Sequence, residues 1–286
     1  MKLRVASWNI EGRLSRFTES GKGSPEGIVD EIEALDADIL TLPEAYDNTK
    51  GIAPGVEDRL RGLGYKALKV PYENGGPVRR FEATQETHYM VLSKFDFAKH
   101  RTIRLGDLRS MPVFSVEDPE THNEIPITFF GIHLDERSSA YRLSQVDDFA
   151  KELEGTEGSV VAMGDFNDMH TGSRGSKLFG MKAVKAAASL LGQGSMGQLA
   201  GFAYEMAQGK AMAQIEAVTE LRDADPLHRA TTTPKLRSVP FMPAIRMIDI
   251  DHILISPGLK VSDYTVMRHD GGSDHRAISA TIELTQ

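Results

Sequence analysis

Short apolar runs that favour β-strands recur along this 286-residue chain, and nearly every run ends in an acid, an amide or a histidine. The predicted strands cover residues 3–10, 38–42, 88–93, 111–116, 126–134, 159–163, 247–256 and 277–284. Runs such as ITFFGI and SVVAM are apolar at successive positions, which is typical of strands covered on both faces. We therefore predict a sheet-based core whose strand ends share a polar edge.

The polar residues at the strand ends form one candidate site. They are Asn9, Glu44, His133, Asp165, Asn167, Asp251, Asp274 and His275. If the strands share a sheet, these side chains can converge at one edge of it. Ionisable groups are rarely buried without partners, so a cluster of this kind indicates a bound cation, acid–base chemistry, or both.

The ligand types in this set predict the kind of metal. Carboxylates and an amide, without thiolates, suit an oxygen-preferring cation, so we expect Mg²⁺ or Mn²⁺. The chain has no cysteine, which excludes disulfides, zinc–thiolate sites, iron–sulfur clusters and a cysteine nucleophile. It also lacks a zinc-type histidine spacing, a P-loop and a dinucleotide-binding glycine motif.

The charge balance limits the kinds of partner. The chain has 33 Lys and Arg against 41 Asp and Glu, a formal net charge of −8. This argues against binding nucleic acid mainly through bulk positive charge, but it leaves open a local basic patch or a metal ion that supplies the positive charge. No secretory pattern is present, and the apolar runs are far shorter than the ~20 residues of a membrane helix. We expect a soluble, cytoplasmic protein.

Helical patterns lie between the predicted strands. Three helices are predicted over 24–35, 56–63 and 139–153, the first with Ser24 as its cap and Pro25 in its first turn. Residues 172–220 are rich in Gly, Ala and Met and contain two further helical patterns, at about 176–191 and 197–221. We interpret this segment as a helical insertion within a single domain that spans residues 1–286.

Six motifs follow one another in a recognisable order. They are SWNI, the Glu of LPEA, GIHL, GDFND, IDHIL and SDH. In this order they resemble the endonuclease/exonuclease/phosphatase superfamily, which has the DNase I-like fold, and the match runs from Asn9 to His275 outside the 172–220 insert. The resemblance implies an α+β fold, a two-layer β-sandwich flanked by helices, with the site at one end of both sheets. It also implies metal-dependent hydrolysis of a phosphoester.

The resemblance implies a metal-binding group. Carried over position by position, Glu44 is a metal ligand, and Asn9 and Asp274 help to hold the metal and the phosphate. One position departs from the family pattern, because Pro43 stands where the residue before this Glu is usually Gln. The proline is expected to alter how Glu44 is oriented.

The resemblance also implies catalytic roles. Asp165 and Asn167 of GDFND orient the attacking water or stabilise the charged intermediate, and Asp251 pairs with His275. His133 contacts a phosphate oxygen or donates a proton. The Asp–His pair can serve as general base, or it can hydrogen-bond the phosphate while Asp165 takes the proton. The sequence leaves both assignments open.

Two secondary interpretations concern neighbouring residues. Asp249 and Asp251 are two positions apart on a predicted strand; we assign Asp251 to the site, because its neighbours match IDHIL, and treat Asp249 as structural. Arg142 and Gln145 lie one turn apart on the third helix. They either brace the site or form a solvated helix face.

The substrate is expected to be read by loops, because one core serves many phosphoesters in this superfamily. Arg79 and Arg80 in the 71–82 segment, and Arg237 in the 222–246 segment, are candidate substrate contacts. The 172–220 insert would form a lid, a dimer face or a lipid-facing surface, or simply a packed helical pair. The first hypothesis is a nuclease or phosphodiesterase. The alternatives are a phosphatase or phospholipase-type enzyme acting on a small molecule or lipid head group, and an inactive binding module.

Overall fold

A computed structural model describes residues 1–15, 23–47, 50–70, 87–106, 109–136, 138–171, 173, 176–177, 201, 203–232, 248–268 and 272–284. Strands and helices are numbered here in chain order. The first sheet has six strands in the order β11-β12-β1-β2-β4-β3. Their bounds are β1 (Lys2–Ser7), β2 (Ile39–Asp47), β3 (Lys66–Val70), β4 (Thr87–Ser93), β11 (Leu259–Val266) and β12 (Ile278–Leu284).

The second sheet also has six strands, in the order β5-β6-β7-β8-β10-β9. Their bounds are β5 (Phe97–Leu105), β6 (Arg109–Val116), β7 (Ile127–His133), β8 (Ser159–Asp165), β9 (Arg222–Asp223) and β10 (Asp251–Ile255). Each sheet contains one parallel pair, β1 with β2 and β7 with β8, and its other named pairs are antiparallel. The two sheets pack face to face around an apolar core in which Phe114 and Phe129 stack with ring centroids 5.2 Å apart.

Helices cover the outer face of each sheet. Their bounds are α1 (Pro25–Leu35), α2 (Val56–Gly62), α3 (Ser139–Glu154) and α4 (Lys210–Val218). Apolar side chains of α1 and α2 share a core cluster with the first sheet, and those of α3 and α4 share one with the second. The α+β sandwich flanked by helices is therefore confirmed. No helix in the described part of the chain is long and apolar enough to cross a membrane.

The predicted helices form for the expected local reasons. The Ser24 hydroxyl accepts a hydrogen bond from Gly27 N (3.1 Å), and Pro25 opens α1, where no backbone donor is needed. In α3 the Ser138 hydroxyl accepts from Tyr141 N (3.5 Å), and Gly155 follows the last turn. Residues that favour helix ends thus stand at the observed ends of the helices. The bounds of α1, α2 and α3 agree with the predicted bounds to within one residue.

Two predicted elements differ from the structure. The strand predicted over 247–256 begins only at Asp251; among the described residues before it, Ile248 forms an isolated bridge with Thr232. The helix predicted over 197–221 is interrupted at Gly209, where φ is +60°. A Cβ at Gly209 would lie 2.6 Å from the carbonyl oxygen of Met169, so the backbone approaches the loop after β8 too closely for another residue. The pattern predicted over 176–191 lies almost wholly outside the described residues.

Candidate active site

The register of the strands brings the predicted site residues to one edge of the sandwich. In the second sheet, His133 ends β7 opposite Asp165 at the end of the parallel strand β8. Asp251 begins β10, which is antiparallel, and pairs with the same Asp165. In the first sheet, Asn9 follows β1 and Glu44 lies on β2. The carboxyl ends of both parallel pairs thus face the same edge, where ligands commonly bind in sheets of this kind.

A bulge in β2 presents Glu44. The register between β2 and β4 shifts between Leu42 and Tyr46, and Glu44 within this bulge has φ of +49°. The chain after β1 follows the bulge, because Ile10 N donates to Pro43 O (3.3 Å) and Gly12 N donates to Glu44 O (2.6 Å). Such a bulge re-aims a side chain relative to a regular strand.

Asn9 links the two sheets at this edge. Its Nδ2 donates to Asp165 Oδ2 (3.0 Å) and lies 3.4 Å from Glu44 Oε1. Its Oδ1 accepts from Glu11 N (3.1 Å), which fixes the orientation of the amide. Asn9 therefore holds the carboxylate of β8 close to the carboxylate of β2.

The GDFND turn fixes Asp165. The Oδ1 of Asp165 accepts from Asn167 N (2.9 Å), and Asn167, with φ of +48°, donates its Nδ2 to Leu134 O (3.0 Å). The preceding Gly164 is required, because a Cβ there would lie 1.8 Å from Ile132 O on the neighbouring strand. Asn167 thus supports the turn, and Asp165 keeps its Oδ2 toward the site.

Asp251 and His275 form a buried pair. His275 Nδ1 lies 2.9 Å from Asp251 Oδ2, which also accepts from the Thr232 hydroxyl (3.3 Å). On the other side of the ring, His275 Nε2 lies 3.7 Å from Asp165 Oδ2 and 3.8 Å from Asp274 Oδ1. The imidazole therefore connects Asp251 to the two carboxylates of Asp165 and Asp274.

His133 lies on the opposite side of the same space. Its Nε2 is 3.5 Å from Glu44 Oε1 and 3.9 Å from Asp165 Oδ2. Its Nδ1 lies 3.2 Å from Arg109 Nη1 at the start of β6, and Arg109 also contacts the Glu136 carboxylate. The His133 side chain is only 2% exposed.

Burial controls the charges of the acidic residues. It raises the pKa of Asp165 to about 7, outweighing the attraction of His275, and the neighbouring Asp251 raises it further. Burial also raises the pKa of Glu44, against the opposing effects of Arg109 and His275. Protein cations therefore do not fully compensate these two carboxylates, and the oxygen donors fit a divalent cation such as Mg²⁺ or Mn²⁺.

The two histidines shift in opposite directions. Burial disfavours a charged His275, but Asp251 and Asp165 together raise its pKa well above the ordinary value. Burial lowers the pKa of His133 well below the ordinary value, and Arg109 adds to that effect. These directions favour the charged form of the His275 imidazole and the neutral form of the His133 imidazole.

The described residues contain one cluster of at least three acids or histidines whose ligand atoms all lie within 4.8 Å of one another. It consists of Asp165, Asp251 and His275. Two of its members already hydrogen-bond each other, so the cluster combines an Asp–His pair with one adjoining carboxylate. Of the predicted metal ligands, Glu44 contributes a carboxylate and Asp274 lies at the rim, whereas Asn9 faces the carboxylates with its amide nitrogen.

Several supporting residues were not found from the sequence. Arg109 is the first residue of β6, which runs antiparallel to β7 and so reaches this edge with its beginning, whereas the sequence pattern marks polar residues only where strands end. Thr232 belongs to no recognisable motif. Ser273 is the first residue of SDH, a motif in which only Asp274 and His275 were assigned roles; it donates to Asn9 O (2.8 Å) and accepts from His275 N (3.1 Å). The substrate candidates Arg79, Arg80 and Arg237 lie outside the described residues.

Of the two alternatives left open for Arg142 and Gln145 on α3, the structure supports the brace. Gln145 Oε1 accepts from Asp135 N (2.8 Å), and Arg142 Nη1 donates to Asp135 O (3.0 Å). Both side chains are buried, which excludes a solvated helix face. They fix the loop that follows His133. Asp249, assigned a structural role, is buried near His252 and Ser173, and burial raises its pKa to about 6.

Comparison with known proteins agrees with this geometry. The model of the Endonuclease/Exonuclease/phosphatase family matches residues 6–275. No curated protein matches the chain significantly in sequence. Among solved structures, an endonuclease/exonuclease/phosphatase from Beutenbergia cavernae is 19% identical with a TM-score of 0.66, and the match covers 99% of this chain and 72% of that chain.

Two further similar structures contain a bound ligand. ANGEL2, described as a 2′,3′-cyclic phosphatase in complex with adenosine-2′,3′-vanadate, is 17% identical with a TM-score of 0.62, covering 99% of this chain and 96% of that chain. TDP2 from D. rerio, complexed with single-strand DNA product, is 13% identical with a TM-score of 0.60, covering 99% of each chain. At these identities the likeness establishes the fold alone.

Proposed function

Because this chain belongs to the endonuclease/exonuclease/phosphatase family, whose members are hydrolytic phosphoesterases, we propose that it is a divalent-metal-dependent phosphodiesterase that cleaves nucleic acid. The observation that carries the proposal is the continuous chain of contacts from Asp251 through His275 to Asp165, which faces Glu44 across one buried space. This arrangement places three groups next to one another: the His275 imidazole, the Asp165 carboxylate with its raised pKa, and the Glu44 carboxylate as a metal ligand.

The metal would be held by Glu44, with Asn9 and Asp274 beside it. Support comes from the oxygen-rich donor set and from the raised pKa of Glu44, which burial causes. Asn9 contributes by aligning the Glu44 and Asp165 carboxylates through its Nδ2. When bound, Mg²⁺ or Mn²⁺ would neutralise charge that develops on the phosphoryl oxygens and acidify water.

Asp165 is the proposed general base. In hydrolysis, the oxygen of water bonds to phosphorus, the bond from phosphorus to the leaving oxygen breaks, and one water proton goes to the base. A folded pKa of about 7 suits a general base at neutral pH. Asn167 N holds the other carboxylate oxygen of Asp165 (2.9 Å), so its Oδ2 keeps one direction.

His275 is the proposed phosphate contact. Asp251 and Asp165 raise the pKa of His275, which favours the doubly protonated imidazolium, and an imidazolium cannot accept another proton. It is therefore suited to donate Nε2–H to a phosphoryl oxygen, while Asp251 fixes Nδ1. Of the two roles left open by the sequence, this favours phosphate binding by His275 and proton removal by Asp165.

Nucleic acid is the proposed substrate class. The support is the single-strand DNA product in the D. rerio TDP2 complex and the adenosine ligand of ANGEL2, two proteins of the same fold. The basic segments around Arg79, Arg80 and Arg237 remain the predicted contacts to the sugar–phosphate backbone of the nucleic acid. With a net charge of −8, the chain relies on a bound cation and local arginines rather than on bulk charge.

A hydrolysis panel tests the proposal. Plasmid DNA, single-stranded DNA, RNA, an abasic duplex, phosphoinositides and sphingomyelin are incubated with Mg²⁺, Mn²⁺ or EDTA. We expect metal-dependent cleavage of nucleic acid that is lost in His275→Ala and Asp165→Asn and retained in the control His100→Ala, an exposed histidine on β5. Cleavage of lipids alone would replace the nuclease proposal with a phospholipase, and unchanged turnover in both site variants would refute the site.

A further inference from the structure

Arg109 sits behind His133, on the side away from the reacting space. Its Nη1 lies 3.2 Å from His133 Nδ1, while His133 Nε2 points toward Glu44 and Asp165 at 3.5 and 3.9 Å. The Glu136 carboxylate contacts the other terminal nitrogen of Arg109. Arg109 is thus held between a carboxylate and the back of the imidazole.

A guanidinium can only donate hydrogen bonds. Because Arg109 faces Nδ1, that nitrogen must be the acceptor, and the single proton of the neutral ring must reside on Nε2. A proton on Nδ1 would place two N–H donors against each other. The contact with Arg109 therefore selects one tautomer, in which the N–H points into the site.

We propose that Arg109 is a positioning residue that fixes His133 as a neutral donor of Nε2–H to a phosphoryl oxygen. Of the two roles that the sequence leaves open for His133, the arginine favours the phosphate contact over proton donation. The arrangement mirrors the other imidazole, whose Nδ1 is fixed by the Asp251 carboxylate instead. The catalytic part of this inference rests on the proposed function, whereas the tautomer does not.

The tautomer can be measured without substrate or metal. Two-bond ¹H–¹⁵N correlation spectra of ¹⁵N-histidine-labelled protein in EDTA at pH 8 distinguish protonated from unprotonated ring nitrogens, and His133→Gln identifies the signals of this ring. We expect the wild type to show Nε2 protonated and Nδ1 unprotonated. In Arg109→Met, which keeps the aliphatic stem, we expect a mixture or the opposite tautomer. Arg109→Lys, which keeps a cationic donor, should restore the wild-type pattern.

Kinetics on the cleaved substrate then separate positioning from substrate binding. For Arg109→Met we expect kcat to fall at least about tenfold with little change in KM, as for other residues that orient a catalytic group. The matched control is Arg101→Met. Arg101 lies on β5 and forms an exposed ion pair with Glu152, so its removal should change neither the spectra nor kcat.

An Nδ1–H tautomer in the wild type, or an unchanged tautomer in Arg109→Met, would overturn the proposal. If no substrate is cleaved, the proposed function fails, while the spectra still decide the tautomer.

Discussion

Asp251 is held in place by more contacts than the pairing with His275 that the sequence predicts. Its two oxygens lie 3.1 and 2.9 Å from His275 Nδ1, the Thr232 hydroxyl donates to one of them (3.3 Å), and its backbone N donates to Thr231 Oγ1 (3.2 Å). The carboxylate is therefore fixed before substrate arrives. An imidazole anchored in this way keeps its Nε2 pointed at the phosphate position.

Asp251→Asn should reduce turnover without unfolding the protein. The amide can retain the contact with Thr232, but it does not stabilise the charged imidazole and it can present its N–H to Nδ1. By analogy with other Asp–His pairs, we expect kcat to fall by about 10³–10⁴-fold. Steady-state kinetics with the substrate from the hydrolysis panel, together with circular dichroism, provide the measurement. Asp263→Asn, on the exposed strand β11, is the control; a drop of less than tenfold in Asp251→Asn would contradict the pairing.

His252 gives a separate prediction about pH and stability. Burial disfavours its charge, but Asp223, whose Oδ2 lies 2.7 Å from Nδ1, raises the pKa of His252 to about 9. The folded pKa thus lies above the unfolded value of about 6.5. His252 therefore contributes stability that is fully present below pH ~6.5 and is lost as the pH rises through about 9.

The pKa shift of His252 sets the expected loss of unfolding free energy as the pH rises. A difference of this size corresponds to about 3 kcal/mol of unfolding free energy lost between pH ~6.5 and ~9. Urea unfolding in EDTA at both ends of this range measures it. In His252→Gln the pH dependence should be smaller by about this amount, whereas His100→Gln on the exposed strand should behave as wild type. An equal pH dependence in His252→Gln and wild type would show that His252 is not charged in the fold.

At the scale of elements, the strands missed by the sequence interpretation share one property. They are β3, β5, β9 and β11, the two outer strands of each sheet. Their side chains are largely exposed, as in FAKHRTIRL of β5, because only one face and one edge are covered. Central strands leave an apolar run in the sequence, while edge strands carry the charges that discourage further pairing. Periodicity therefore predicted the interior of both sheets and none of their borders.

Asp168 connects the GDFND turn to two helices. Its Oδ2 accepts from the backbone N of Ala211 (2.8 Å) and Met212 (3.1 Å) in the first turn of α4, and its Oδ1 lies 3.3 Å from Arg142 Nη2 on α3. Both charged side chains are 0% exposed. Asp168 is the final residue of GDFND. It thus caps a helix that begins more than forty residues later in the chain.

Asp168→Ala should destabilise the fold strongly. It leaves Arg142 buried without its carboxylate and removes the acceptor for α4, for which we expect a loss of about 3–5 kcal/mol. Urea unfolding measures the loss. Amide hydrogen exchange at Ala211 and Met212 should also become faster by a larger factor than exchange elsewhere in the chain. The control is Asp58→Ala, which breaks an exposed pair with Arg61. The double change Arg142→Met with Asp168→Leu should recover part of the loss, since no buried charge remains; a single-variant loss below about 1 kcal/mol would contradict the buried pair.

At the scale of the whole molecule, the site exists because two sheets end at the same edge. Asn9 and Glu44 come from the first sheet, and His133, Asp165 and Asp251 from the second. The order of motifs along the chain carries the family resemblance, and that resemblance implied the sandwich; the polar strand ends indicated which residues belong together. The sequence could not show the direction in which each group points. The amide of Asn9 facing two carboxylates and the arginine behind His133 both depend on register and on a bulge.

A metal at this edge should therefore stabilise the entire fold. Glu44 and Asp165, one from each sheet, are both carboxylates whose pKa burial raises, so a divalent ion relieves a cost in the folded state that the unfolded chain does not bear. We expect Mg²⁺ at about a hundred times its dissociation constant to raise the unfolding free energy by about 2.7 kcal/mol over EDTA. Thermal unfolding at constant ionic strength measures this, with NaCl as the salt control. Glu44→Gln should lose most of the gain, and Glu33→Gln, on the exposed face of α1, should keep it. Equal stabilisation of Glu44→Gln and wild type would place the cation elsewhere and remove Glu44 from the ligand set.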